Sequence, residues 1–185
     1  MVRVALLRNA RTMSVGALAL FLVATSACSS HNPSATSPRG HEREVVDLRP
    51  LPGFGDVGGG ALLVVHTSRA GRVFRSEAEW VSYWKEIIQY SDPVPALPAV
   101  DFEHEVVLLA LMGRQPSSGY SVAMDSLIVE GDSATVFANG VTPGKGCGVF
   151  AAVSCPWVGK VVPNRNARWV FSWAYNRRDC EHVGG

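Results

Sequence analysis

One run constrains the fold more than any other: Val106-Val107-Leu108-Leu109-Ala110-Leu111-Met112, entered through Glu105 and left through Gly113. Successive side chains of a strand point to opposite faces, so a strand apolar at every position is buried on both. The run therefore predicts a strand central in a sheet. Other strand-like runs surround it. Residues 61–66 form one, and Tyr120, Val122 and Met124 alternate with Ser121, Ala123 and Asp125 in a second. Gly131-Asp132 supplies a turn before 133–138, and 158–162 and 168–175 follow, the last placing Trp169, Phe171, Trp173 and Tyr175 on one face. A single helix is signalled over 77–89. Ser76 and Glu79 have the spacing of a capping box, Trp80, Tyr83, Trp84, Ile87 and Ile88 recur at helical spacing, and Pro93, Pro95 and Pro98 bar its continuation. Together these predict an α+β fold, mainly antiparallel and sandwich-like, with one amphipathic helix packed on the sheet.

The N-terminus carries a different message. Residues 1–27 hold Arg3, Arg8 and Arg11 and no acid, then an apolar run over 15–24, then small residues up to Cys28. This is the three-part order of a secretory signal, and the apolar run is short of the roughly 20 residues that span a hydrocarbon core. Thr25-Ser26-Ala27-Cys28 resembles the lipobox of bacterial lipoproteins, in which a cysteine becomes the lipid-bearing first residue. Thr25 stands where that box usually has leucine, and the alternative is an ordinary secretory signal with a cysteine near its end. The resemblance implies lipidation at Cys28 and a cell-envelope, extracytoplasmic location held by acyl chains.

Without the signal the chain loses three arginines and no acid, so its formal charge turns from +1 to slightly negative. No basic cluster remains to track phosphates, which argues against nucleic acid as a partner. Residues 28–44 are Ser, Pro, His, Gly and charge with little to bury, and read as a disordered tether. One domain is expected over 45–180. Cys147 and Cys155 are the first candidate disulfide, closing a short loop worth about 2.5 kcal/mol. Cys180 is then the odd cysteine, and its pairing with either partner stays open.

Several strings that suggest chemistry fail on context. Gly53-Phe54-Gly55-Asp56-Val57-Gly58 spells a dinucleotide fingerprint, but prolines precede it and no helix follows, so it reads as a loop and no cofactor is expected. Ser82-Tyr83-Trp84-Lys85 has the spacing of serine acyl enzymes without their companion elements. Asp101, Glu103, His104 and Glu105 bunch before the central strand. As an extended segment they would put the acids on one face and His104 on the other, so no metal is expected. No catalytic residues are assigned.

The link between two apolar strands is more distinctive: Gly113-Arg114-Gln115-Pro116-Ser117-Ser118-Gly119-Tyr120. Taken alone it reads equally as a hairpin loop shaped by Pro and Gly, or as recognition residues on a rigid sheet. With Asp101-Phe102 before the central strand and Pro143, Cys147 and Pro156 after it, the region resembles the C-terminal domain of PrcB-type members of protease complexes over about 61–175. That resemblance implies an exported, often lipid-anchored accessory protein that associates with a protease and has no catalytic residues. A fainter similarity is to chagasin-type protease inhibitors, through Gln115-Pro116-Ser117-Ser118-Gly119 and Cys155-Pro156-Trp157. The expected function is thus a non-enzymatic envelope lipoprotein that binds protein. Its contact surface is expected on 113–120 and on the loop 144–157, with Arg114, Gln115, Pro116, Ser117, Ser118, Gly119, Tyr120 and Trp157 as contact residues, and Tyr120 and Trp157 as aromatic anchors unless they are core. The alternatives are a structural or assembly lipoprotein, a protease inhibitor, and a hydrolase drawing on Ser117, Ser118, His66 or His104.

Overall fold

A computed structural model describes residues 42–54, 67–88 and 93–180. Its elements are β1 (Arg43–Val46), β2 (Arg49–Pro50), β3 (Ala70–Phe74), α1 (Glu77–Ile88), β4 (Glu105–Leu111), β5 (Ser121–Glu130), β6 (Ser133–Pro143), β7 (Trp157–Pro163) and β8 (Arg168–Arg178). Two four-stranded sheets result, an outer one ordered β1-β5-β6-β8 and an inner one ordered β2-β7-β4-β3. The fold is the sandwich with one helix that the patterning predicts. Residues 1–41, with Cys28 and nearly all of the expected tether, lie outside the described residues, as do the run 61–66 and Gln89. β1 begins at Arg43, so Arg43 and Glu44, the last two tether positions, are in a strand.

The inner sheet is covered on both faces, which is what the unbroken apolar run of β4 requires. Val106, Leu108, Ala110 and Met112 face the outer sheet, meeting Val122, Met124, Leu127, Val136 and Ala138. Val107, Leu109 and Leu111 face the helix side with Trp80, Tyr83, Trp84, Ile87 and Ile88. The helix starts where Ser76 Oγ accepts from the Glu79 N–H at 3.3 Å. Glu79 returns to the Arg75 N–H rather than to that of Ser76. Phe74, Trp80 and Trp84 then pack ring against ring at 5.2 and 5.3 Å, each buried side chain of this size contributing about 2–3 kcal/mol.

Two features depart from a simple antiparallel reading. β6 and β8 pair in parallel, because the chain leaves the outer sheet after β6, runs β7 in the inner sheet and re-enters in the original direction. In β5 the register shifts between Met124 and Ser126. The extra residue reverses the phase, so Leu127 and Val129 are buried where continued alternation would have pointed them outward.

Candidate protein-binding site

Two crossings between the sheets meet at one place. The link 112–120 carries the chain from β4 to β5, and the link 144–156 carries it from β6 to β7, so the first is an arch between sheets and no hairpin. Gly113, at φ 76°, begins the arch. A Cβ there would lie 2.7 Å from the Ser68 carbonyl carbon and 2.9 Å from the Arg69 nitrogen, so only glycine fits.

The two links are laced together. Met112 N–H donates to Pro156 O at 2.8 Å, and Gln115 and Ser154 exchange main-chain bonds at 2.8 and 3.1 Å. Ser118 N–H donates to Phe150 O at 3.0 Å, and Phe150 N–H returns to Ser118 Oγ at 2.8 Å. Ser154 Oγ donates to Ser117 O at 2.7 Å. Gly119, at φ 88°, lets Val149 and Pro143 close on its backbone, where a Cβ would sit 2.9 Å from Val149 Cγ1.

These bonds give three of the expected contact residues a structural role. The Gln115 amide donates inward to Met112 O at 3.0 Å, and Ser117 Oγ donates to Ser118 O at 3.1 Å. Gln115, Ser117 and Ser118 therefore spend their polar groups on holding the links in shape. Arg114 and Pro116 are exposed, and Tyr120 is half-buried against the core between the sheets. Trp157 is a correction: it is 2% exposed, in the core beneath the helix, with its ring 5.3 Å from Phe54. It opens a strand buried on both faces, so it is no surface anchor. Within the two links the large solvent-facing apolar residues are Phe150 at 80%, Val153 at 47% and Val149 at 41% exposure. Their signal in the sequence is the apolar run 149–153 inside a link bordered by Gly148 and Cys155.

The disulfide is a second correction. Cys147 pairs with Cys180, not with Cys155, their Cα atoms 4.8 Å apart, within the usual span. Cys155 is a buried thiol. The link crosses from one sheet to the other, so its two cysteines sit at opposite ends. Cys147 leaves the outer sheet beside the end of β8, where Gly144 N–H donates to Arg178 O at 2.8 Å and Cys180 N–H to Lys145 O at 2.9 Å. Cys155 is already entering the inner sheet. The link is thus fastened at one end by the disulfide and at the other by Ser154 and Pro156.

The acidic bunch also differs from expectation. Residues 102–104 form a turn rather than an extended segment, with the His104 and Glu105 N–H groups donating to Asp101 O. This gathers Asp101, Glu103 and His104, whose ligand atoms all lie within 4.8 Å of one another. Asp101 takes part in two bonds within the group: His104 Nδ1 meets Asp101 Oδ2 at 2.8 Å and the Glu103 backbone N–H donates to Asp101 Oδ1 at 3.1 Å. The hydrogen bond from His104, more than any other influence, holds the Asp101 carboxyl below its ordinary range. Glu105 instead pairs with Arg49 across the sheet. Ser82 and Lys85 are exposed on the solvent side of α1. Ser117 and Ser118 bond to the backbone and not to a histidine, and His66 lies outside the described residues.

The segment from β4 through β7 holds both links and the strands they join. Residues 106–163 match the PrcB C-terminal family model. The PrcB C-terminal match thus covers the central strand, the arch and the clamped link together, and falls within the longer span, about 61–175, over which the sequence resembles that family. No curated protein and no solved structure matches the chain.

Proposed function

We propose that the protein is a non-enzymatic lipoprotein of the bacterial cell envelope that binds another protein through the two clamped links, as an accessory and stabilising subunit of an exported protease. The observation that carries this reading is the tip formed by Val149, Phe150 and Val153, solvent-facing on a link pinned at both ends. A single exposed apolar side chain is ordinary, whereas a group of them on one ordered link forms a patch suited to docking. Pinning lowers the ordering cost of association, and an aromatic at the centre of such a patch is the usual energetic anchor. The PrcB C-terminal match, which takes in both links, supports a protease complex as the setting. The signal-like 1–27 and Cys28 support lipid anchorage on the extracytoplasmic side, with the residues after Cys28 as tether.

Affinity purification from the native envelope tests the reading by comparing wild type with Phe150→Ser. A protease recovered with wild type and lost with the folded variant is the expected result. Equal recovery moves the surface elsewhere, and no protease in either sample contradicts the accessory role.

A further inference from the structure

Beside the clamped links lies an open hollow of about 490 Å³ lined by Thr67, Arg114, Gln115, Pro116 and Val153. Its walls differ in what they still offer. The Gln115 amide is turned inward to Met112 O, and its main chain is closed in the bridge to Ser154. Pro116 has no N–H to give, and Val153 presents an aliphatic side chain. Among the described residues Arg114 is the one charged residue in the lining, and it has no ion pair with any of them. A guanidinium keeps its charge and carries a planar fork of donors that matches a carboxylate in a bidentate pair. Set beside apolar Pro116 and Val153, it marks a surface complementary to an acid flanked by aliphatic side chains.

We infer that this hollow receives an Asp or Glu side chain from an extended segment of the partner, its carboxylate on Arg114 and a neighbouring aliphatic side chain on Pro116 and Val153. The inference rests on the protein-binding reading and adds the chemistry of the partner. A side chain is favoured over a chain terminus for two reasons. The hollow is open at the surface, and the N–H groups of Gln115 and Ser118, which could cradle a terminal carboxylate, already donate to Ser154 O and Phe150 O.

The test titrates the full chain into fluorescein-labelled Val-Glu-Val-Glu-Val with an amidated C-terminus, read by anisotropy. Two controls are Val-Gln-Val-Gln-Val amidated and the same Gln peptide with a free carboxylate. The Glu peptide binds, more weakly as salt rises, and Arg114→Gln loses about ten-fold in affinity, as loss of a charge-assisted pair implies. Arg114→Lys recovers part of that loss. Arg114 is exposed, so both variants are expected to fold, which their circular dichroism checks. The inference is overturned if the amidated Gln peptide binds equally, if Arg114→Gln leaves the affinity unchanged, if only the free-carboxylate peptide binds, or if no peptide binds at millimolar concentration. Should the peptides fail while protease recovery still depends on Phe150, the acidic-segment inference falls and the protein-binding reading stands.

Discussion

Replacing Cys147 and Cys180 together by alanine probes the clamp on the link 144–156 without leaving either partner of the disulfide as an unpaired thiol. The two positions are 33 residues apart. Closing a loop of that length removes conformational freedom from the unfolded chain worth about 4 kcal/mol, against about 2.5 kcal/mol for the shorter loop that Cys147 and Cys155 would close. For a domain whose total stability is on the order of 5–15 kcal/mol this is a large share. It corresponds to a melting temperature lower by roughly 10–15 °C. Chemical denaturation followed by circular dichroism, on the double variant and on wild type with and without reductant, measures it. Reductant lowers the stability of wild type and leaves that of the variant unchanged. Cys155→Ala, which touches no crosslink, stays sensitive to reductant. A double variant as stable as wild type, or a Cys155→Ala protein that has lost its reductant response, shows the reasoning about the clamp to be wrong.

Trp80→Ala removes a side chain with no exposed surface from the aromatic cluster and costs roughly 3–5 kcal/mol by urea denaturation; a loss below about 1 kcal/mol speaks against the helix-side core. Gly119→Ala forces a non-glycine residue to φ 88° with its Cβ on Val149, costing about 1–2 kcal/mol and shifting the Val149 methyl resonances, whereas unchanged stability and spectra contradict the close approach. Burial pushes the Tyr83 hydroxyl pKa up from its ordinary 10.0, so its contribution to stability is fully present below pH 10 and is lost as pH rises above it. Tyr83→Phe flattens that alkaline decline in a pH series of unfolding midpoints, and an identical decline in both proteins rules the assignment out.

Local chemistry and period make the core of the fold legible. Ser76, Glu79 and the spacing of Trp80, Tyr83, Trp84 and Ile87 locate α1, and the unbroken run in β4 announces a strand covered on both sides. What escapes depends on contacts distant in sequence. Nothing near β6 or β8 announces that they run parallel, because the direction of β8 is set by the excursion of β7 into the other sheet. The bulge at Asp125 shifts the phase by a single residue, which alternation on either side does not betray. Cys147 and Cys155 are neighbours in sequence but ends of a span between sheets, so proximity along the chain misleads. Trp157 beside a loop resembles an anchor, yet the strand it opens is buried on both faces and carries no outward position until Pro163. In the first link the side chains of Gln115 and Ser117 bond to main chain of their own link and that of Ser118 to the other link, a scaffold role that residue type alone does not announce. The loop 144–157 is expected to make contacts, yet its sequence does not single out Val149, Phe150 and Val153, which the course of the link turns to solvent.

The central claim is that the tip around Phe150 is where a partner docks. Placing a photoreactive benzoylphenylalanine at position 150, and separately at position 137 on the outer sheet face, and irradiating the native envelope tests this most directly. The account predicts a crosslink to an exported protease from position 150 and none from position 137. A protease captured from position 137 alone, or from neither position while the two proteins still co-purify, would contradict it.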